Sequence, residues 1–191
     1  MKKLIAFLLI VTLASCSSGG KAPPRNLDNA CTMKSQRKAW FKTMEKAQRK
    51  WGIPVPVFMA AIYQESKFKP DARTPYRYVL GVIPMGRQSS AYGYSQAIDS
   101  TWDWYRRDTG SYSAKRNNFA HAVDFMGWYM NESHERNGIA KNDMYNQYLA
   151  YHDGHSGFRR GTYRKKAWLV QIAGKVQSRA IMYQEQLASC R

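Results

Sequence analysis

The chain has 191 residues, with 30 Lys and Arg against 13 Asp and Glu, for a formal net charge of +17. That length suits one domain of ordinary size once any targeting segment is removed, and the charge bears on partners, not on fold. A basic chain suits a polyanion (nucleic acid, anionic lipid or an acidic cell-wall polymer), and no cysteine has a second Cys or His at the spacing a zinc site needs. The 13 Tyr and 6 Trp could stack on bases or sugar faces, or simply fill a core.

Residues 1–3 are Met-Lys-Lys, and residues 4–13 form an apolar run of signal-peptide length, too short to span a bilayer. Leu13-Ala14-Ser15-Cys16 follows, then Ser17-Ser18-Gly19-Gly20. The pattern resembles a bacterial lipobox, in which small residues precede a cysteine that becomes the lipidated first residue. It implies a signal peptide over 1–15 and a lipid on Cys16. Ser17, where an acidic residue would signal otherwise, resembles the outer-membrane lipoproteins of Gram-negative cells. The expected location is therefore the periplasmic side of the outer membrane. Cys31 and Cys190 remain, and an oxidising compartment should join them. Closing a loop of about 160 residues contributes up to ~5 kcal/mol by the chain-entropy account.

Residues 16–34 read as a Ser-, Gly- and Pro-containing tether, and residues 35–191 as the globular domain. Residues 35–52 read as an amphipathic helix, with Trp40, Met44, Ala47 and Trp51 at helical spacing, Ser35 as its cap and Gly52 as its stop. Residues 53–68 are different. No charge interrupts the segment from Ile53 to Gln64, and apolar residues on every side imply a helix buried all round. Pro54 and Pro56 suit its first turn. Glu65 then stands at the end of a buried helix, where low dielectric favours the neutral acid and hence a proton donor. The plainer alternative is a first solvated residue paired with Lys67 or Lys69.

Residues 71–92 read as a long irregular insertion, with room for a short hairpin and with Arg73, Arg77 and Arg87 available to an anion. Helices are expected over about 100–108 with Ser100 as cap, over 118–137 closed by Gly138, from Asn142 into residues 151–157, and over about 163–187 through Trp168, Ile172, Val176 and Ile181. No alternating run supports a substantial sheet. The domain is expected to be all-α with one irregular insertion.

Three segments bear the chemistry in order: Gln64-Glu65-Ser66-Lys67-Phe68, Gly93-Tyr94-Ser95-Gln96 and Ala150-Tyr151-His152. Together they resemble the soluble lytic transglycosylase branch of the lysozyme-like superfamily, over roughly residues 36–170. That family carries Glu-Ser at the end of a buried helix, then Gly-Leu-Met-Gln, then Ala-Tyr-Asn. Here Tyr94 and Ser95 replace Leu and Met, and His152 replaces Asn.

The resemblance implies a lysozyme-like fold acting on peptidoglycan without metal or cofactor, as a monomer. The bond between N-acetylmuramic acid and N-acetylglucosamine would be cut to leave a 1,6-anhydro end, with Glu65 as the single acid and base. It further implies that Tyr94, Ser95 and Gln96 bind sugar, Gln96 and the Ser95 backbone through its N-acetyl groups. Tyr151 would hold Glu65 or pack on a ring, Ser66 would orient Glu65 or meet the peptide stem, and His152 would stand in for the missing Asn. Two alternatives remain: a hydrolytic muramidase using Asp99, Asp103 or Asp153 as second carboxylate, and a wall-binding lipoprotein without activity. Nucleic acid explains the charge but is not an expected partner of an exported lipoprotein.

Overall fold

The computed structural model describes residues 22–190. The expected signal segment and the expected lipid-bearing Cys16 lie outside those residues. Among the described residues eight α-helices carry the fold: α1 (Ala30–Gln36), α2 (Lys38–Trp51), α3 (Val55–Ser66), α4 (Asp99–Asp108), α5 (Phe119–Asn137), α6 (Met144–Asp153), α7 (His155–Arg160) and α8 (Ala167–Ser189). A single antiparallel hairpin, β1 (Tyr76–Val79) and β2 (Ile83–Arg87), is set between α3 and α4. The all-α expectation therefore stands, with the hairpin as its one insertion. No helix among the described residues is long and apolar enough to cross a membrane.

Helix α3 is the axis of the core. Phe58, Met59, Ala60, Ala61 and Ile62 are all fully buried, and α2, α5 and α8 pack around them. Pro54 caps its start, where a missing N–H costs nothing, and the Val55 N–H is taken by Gln48 Oε1 at 2.9 Å. Helix α5, expected over 118–137, buries a stripe of Phe119, Ala122, Val123, Met126, Tyr129 and Met130, widened by Phe125 and Trp128.

Several boundaries differ from the sequence expectation. Ser35 does not cap a helix; it lies inside α1 and donates to the Thr32 carbonyl. Asn29 caps α1 instead, accepting from the Thr32 N–H at 2.8 Å. The tether therefore ends before residue 34, because Ala30 and Met33 enter the core. Helix α8 clasps this segment: Arg179 pairs with Asp28 at 2.7 Å, and Gln186 Oε1 accepts from the Ala30 N–H at 2.7 Å. The Cys31–Cys190 disulfide closes the same seam, across 159 residues of sequence. Ser100 is not the cap of α4 either; the Asp99 N–H donates to Ser90 Oγ across the loop at 3.0 Å. Asp143, not Asn142, caps α6. In α8 the buried side is Leu169, Ala173, Val176, Ala180 and Tyr183, so Trp168 and Ile181 face outward.

Asp124 on α5 gathers three helices. It accepts from Trp51 Nε1 at 2.9 Å, from Lys50 Nζ at 2.9 Å and from the Tyr105 hydroxyl at 2.7 Å. Burial pushes its carboxyl up, but the bonds from Lys50, Tyr105 and Trp51 outweigh that and hold it below the ordinary range. Gly127 lets the Trp51 ring approach α5; a Cβ there would lie 2.4 Å from Trp51 Cδ1. We expect Gly127→Ala to destabilise the fold by about 2 kcal/mol, because overpacking exceeds the gain in helix propensity. Urea unfolding of the two proteins measures the difference.

Candidate active site

Helix α3 ends abruptly, and its ending makes the site. Lys67 and Phe68 both take positive φ, 51° and 61°, a conformation that bulky side chains rarely adopt. The chain turns back at once and buries Phe68 against Trp40, ring on ring at 5.8 Å. Glu65 is left on the last turn, lining a cleft of about 520 Å³ with Gln96, Tyr151 and His152. The three segments singled out in the sequence thus meet at one cavity.

Glu65 keeps some accessible surface at the cleft, yet burial dominates its chemistry and pushes its carboxyl up to about 7. A side-chain hydrogen bond from Tyr148, then the charge of Lys67, pull the other way and are outweighed. No sequence motif marks Tyr148. The available signal was its i, i+3 spacing from Tyr151, which puts both phenols on one face of α6.

Backbone bonds hold the loop from Gly93 to Gln96 in place. Gln96 Nε2 donates to the Ala72 carbonyl at 2.9 Å and to the Gly93 carbonyl at 2.8 Å. Tyr151 donates to the Ser95 carbonyl at 2.6 Å, tying the second segment to the third. Gly93 must be glycine: its φ is +77°, and a Cβ would meet the Arg116 carbonyl oxygen at 2.2 Å. Arg116 also donates to the carbonyls of Ser90 at 2.9 Å and Ala97 at 2.8 Å, and pairs with Asp99 at 2.6 Å. Nothing in the sequence pattern marked Arg116, because all of its loop contacts are non-local.

Two expectations are corrected, for Tyr94 and for Ser66. Tyr94 is 2 % exposed, packed edge-on against Trp40 and Phe119, so it is a core residue and not a sugar contact. The Ser95 side chain is wholly buried and its hydroxyl has no partner; only its backbone serves the loop. The Ser66 hydroxyl bonds back to the Ile62 carbonyl at 3.2 Å, and Ser66 is buried away from a ligand. Tyr151 is tied to the loop and has no direct bond to Glu65. His152 is exposed at the cleft, edge-on to Trp168 at 5.0 Å, and burial followed by the Lys166 charge lowers its pKa.

The other carboxylates separate clearly. Asp99 and Asp103 line a different cavity and pair with Arg116 and Arg106. Asp153 does line the Glu65 cleft, but its side chain is 2 % exposed and is held by Lys166 and Thr162. Burial raises its carboxyl; the Lys166 and Thr162 bonds overcome this and leave it lowered, hence ionised. Among the described residues no group of three or more His, Cys, Asp or Glu is placed to hold a metal.

A carboxyl raised from 4.5 to about 7 on folding has a defined effect on stability. Between those values the folded chain holds a proton that the unfolded chain releases, so stability falls as pH rises through the window. Glu65→Gln should remove this penalty. We expect the variant to gain up to about 3 kcal/mol over the parent between pH 4 and pH 8, measured by urea unfolding at each pH. Tyr148→Phe should move the Glu65 titration further upward by deleting the bond that lowers it, read by NMR of the carboxyl.

With this geometry in place, comparison with known proteins adds one match. No curated protein matches the chain. A family model described as Transglycosylase SLT domain matches residues 4–190. An all-α fold, an acid at the end of a buried helix and a match over nearly the whole sequence agree: the chain belongs to the transglycosylase SLT domain family.

Proposed function

We propose that this protein is a peptidoglycan lytic transglycosylase that uses Glu65 as its only acid and base. The observation that carries the reading is the Glu65 carboxyl, raised to about 7 in a cleft with no second free carboxylate among the described residues. Near neutral pH a large fraction of it is protonated and able to donate.

The reaction then runs in two linked steps. Glu65 gives its proton to the glycosidic oxygen as the bond from the muramoyl anomeric carbon breaks, and the N-acetylglucosamine end leaves with a free hydroxyl. The Glu65 carboxylate takes the proton of the muramoyl C6 hydroxyl as that oxygen bonds to the anomeric carbon. The acid is regenerated, no water is consumed, and the product is a 1,6-anhydro end. An internal nucleophile has a high effective concentration and needs no second carboxylate. Gln96, whose amide nitrogen is taken up by the loop, keeps its carbonyl for an N-acetyl N–H. His152 and the half-exposed Trp168 form an edge-to-face rim suited to a sugar face. The lipobox-like segment supports lipidation of Cys16 and residence on the periplasmic face of the outer membrane.

One observation favours a second reading. Asp153 lines the cleft, and a hydrolase would use such a group to activate water. Its lock to Lys166 and Thr162 speaks against that role.

The deciding experiment is mass spectrometry of digests of purified sacculi. The parent chain should release muropeptides with 1,6-anhydro ends, at a rate that falls as pH rises above about 7 and Glu65 loses its proton. Glu65→Gln should lower release by about 10²–10⁴-fold. Reducing ends would assign hydrolysis instead, and no difference between the two chains would remove the enzyme reading.

A further inference from the structure

The hairpin β1–β2 breaks two local rules at once. Its turn sets Leu80 and Gly81 at φ of 52° and 74°, closed by a 3.3 Å bond from the Val82 N–H to the Val79 carbonyl. Two successive positive φ values make a type I′ turn, whose favoured sequence is Asn-Gly. A leucine there is strained, and it is also 86 % exposed, with Val82 beside it 75 % exposed. Seven of the eleven large hydrophobic residues exposed among the described residues fall within this one hairpin. Scattered exposed apolar residues are ordinary; a contiguous apolar patch marks something that covers it. Strain kept at a functional cost to folding points the same way.

The hairpin is held out from the body by its stem. Thr74 Oγ1 donates to the Ser89 carbonyl at 3.0 Å, and the Gln88 N–H to the Pro75 carbonyl at 3.1 Å. Along its length the chemistry changes. Leu80, Val82 and Ile83 form an apolar apex; below them Tyr78, Arg77 and Tyr76 alternate along β1, with Arg87 paired opposite Tyr76. The Arg87 guanidinium rests on the Tyr76 ring at 4.3 Å. An apolar tip above interleaved aromatic and cationic residues matches the acyl region and the interfacial phosphates of one leaflet of an anionic membrane. At ~3.3 Å per residue, the apolar arm reaches about 10 Å, the depth at which interfacial elements sit.

We propose that β1–β2 is a membrane-dipping finger. Its Leu80–Val82 apex enters the acyl boundary of an anionic bilayer, and its arginines meet the lipid phosphates. Thr74 and Ser89, at the foot of the finger, line the cleft that holds Glu65, so docking holds that cleft at the membrane surface. The finger is a second attachment beside the lipid proposed at Cys16, and two weak anchors together hold where one is readily reversible. It does not rest on the catalytic reading: Glu65→Gln leaves it intact.

The test places an environment-sensitive fluorophore at the apex, through Val82→Cys in the full chain carrying Cys16→Ser. With vesicles of phosphatidylethanolamine and phosphatidylglycerol its emission should shift to the blue, less so with phosphatidylcholine or at high salt. Leu80→Asp with Ile83→Asp, both at exposed positions, should weaken vesicle binding by about tenfold or more while sacculus digestion is unchanged. An unshifted apex in the anionic vesicles overturns the proposal. So does a shift that appears without lipid as protein concentration rises, which would assign the patch to a second copy of the chain. A shift on lipid-free sacculi would overturn it too, by making the hairpin a cover for glycan.

Discussion

Everything near the cleft depends on the conflict between burial and charge at Glu65. Helix α3 carries no charged residue before its last turn, so it can be packed on all sides without burying an unpaired charge. That freedom makes it the core axis, and it also brings the one acid at its end into a poorly solvated place. The raised carboxyl is a consequence of the packing, not an added device. A charge placed one turn earlier would have forced the helix to the surface and lost the effect.

The surroundings of the acid are strained and stapled in compensation. Lys67, Phe68 and Gln96 all take positive φ without being glycine. Phe68 stays there because Trp40 covers it, and Gln96 stays because its own amide bonds the loop on both sides. The Tyr151 hydroxyl and the Arg116 guanidinium tie the same loop from α6 and from the turn before α5. A site held by this many separate segments moves little when a ligand arrives, which favours a preorganised proton donor.

Much of the fold was legible in the sequence because it is written in local patterns. The apolar run before Glu65, the α5 stripe and the stops at Gly52 and Gly138 each follow from periodicity or a single backbone preference, and each is present. Caps were less legible. Ser35 and Ser100 are good caps by type, but Asn29 and Ser90 do the capping, since a cap depends on where a hydroxyl or amide is brought in space. Tyr94 and Ser66 were assigned to a ligand from their place in a motif. Their neighbours decide otherwise: an aromatic cluster encloses Tyr94, and the Ser66 hydroxyl finds its own helix. Tyr148, which no motif marks, is a partner of the acid.

By itself the sequence determined that the described domain is helical, that one helix is apolar throughout and that Glu65 ends it, because these are properties of spacing along one chain. It also put Glu65, Gln96 and Tyr151 in the order that a family resemblance uses. Tertiary structure alone decided which carboxylates share the cleft, since Asp99 and Asp103 face another cavity and Asp153 is locked to Lys166. It alone made the insertion a projecting apolar hairpin, because only folding shows that nothing among the described residues covers Leu80 and Val82. The physical reason is common to both: pKa and exposure are set by neighbours distant in sequence, and residue order does not reveal which those are.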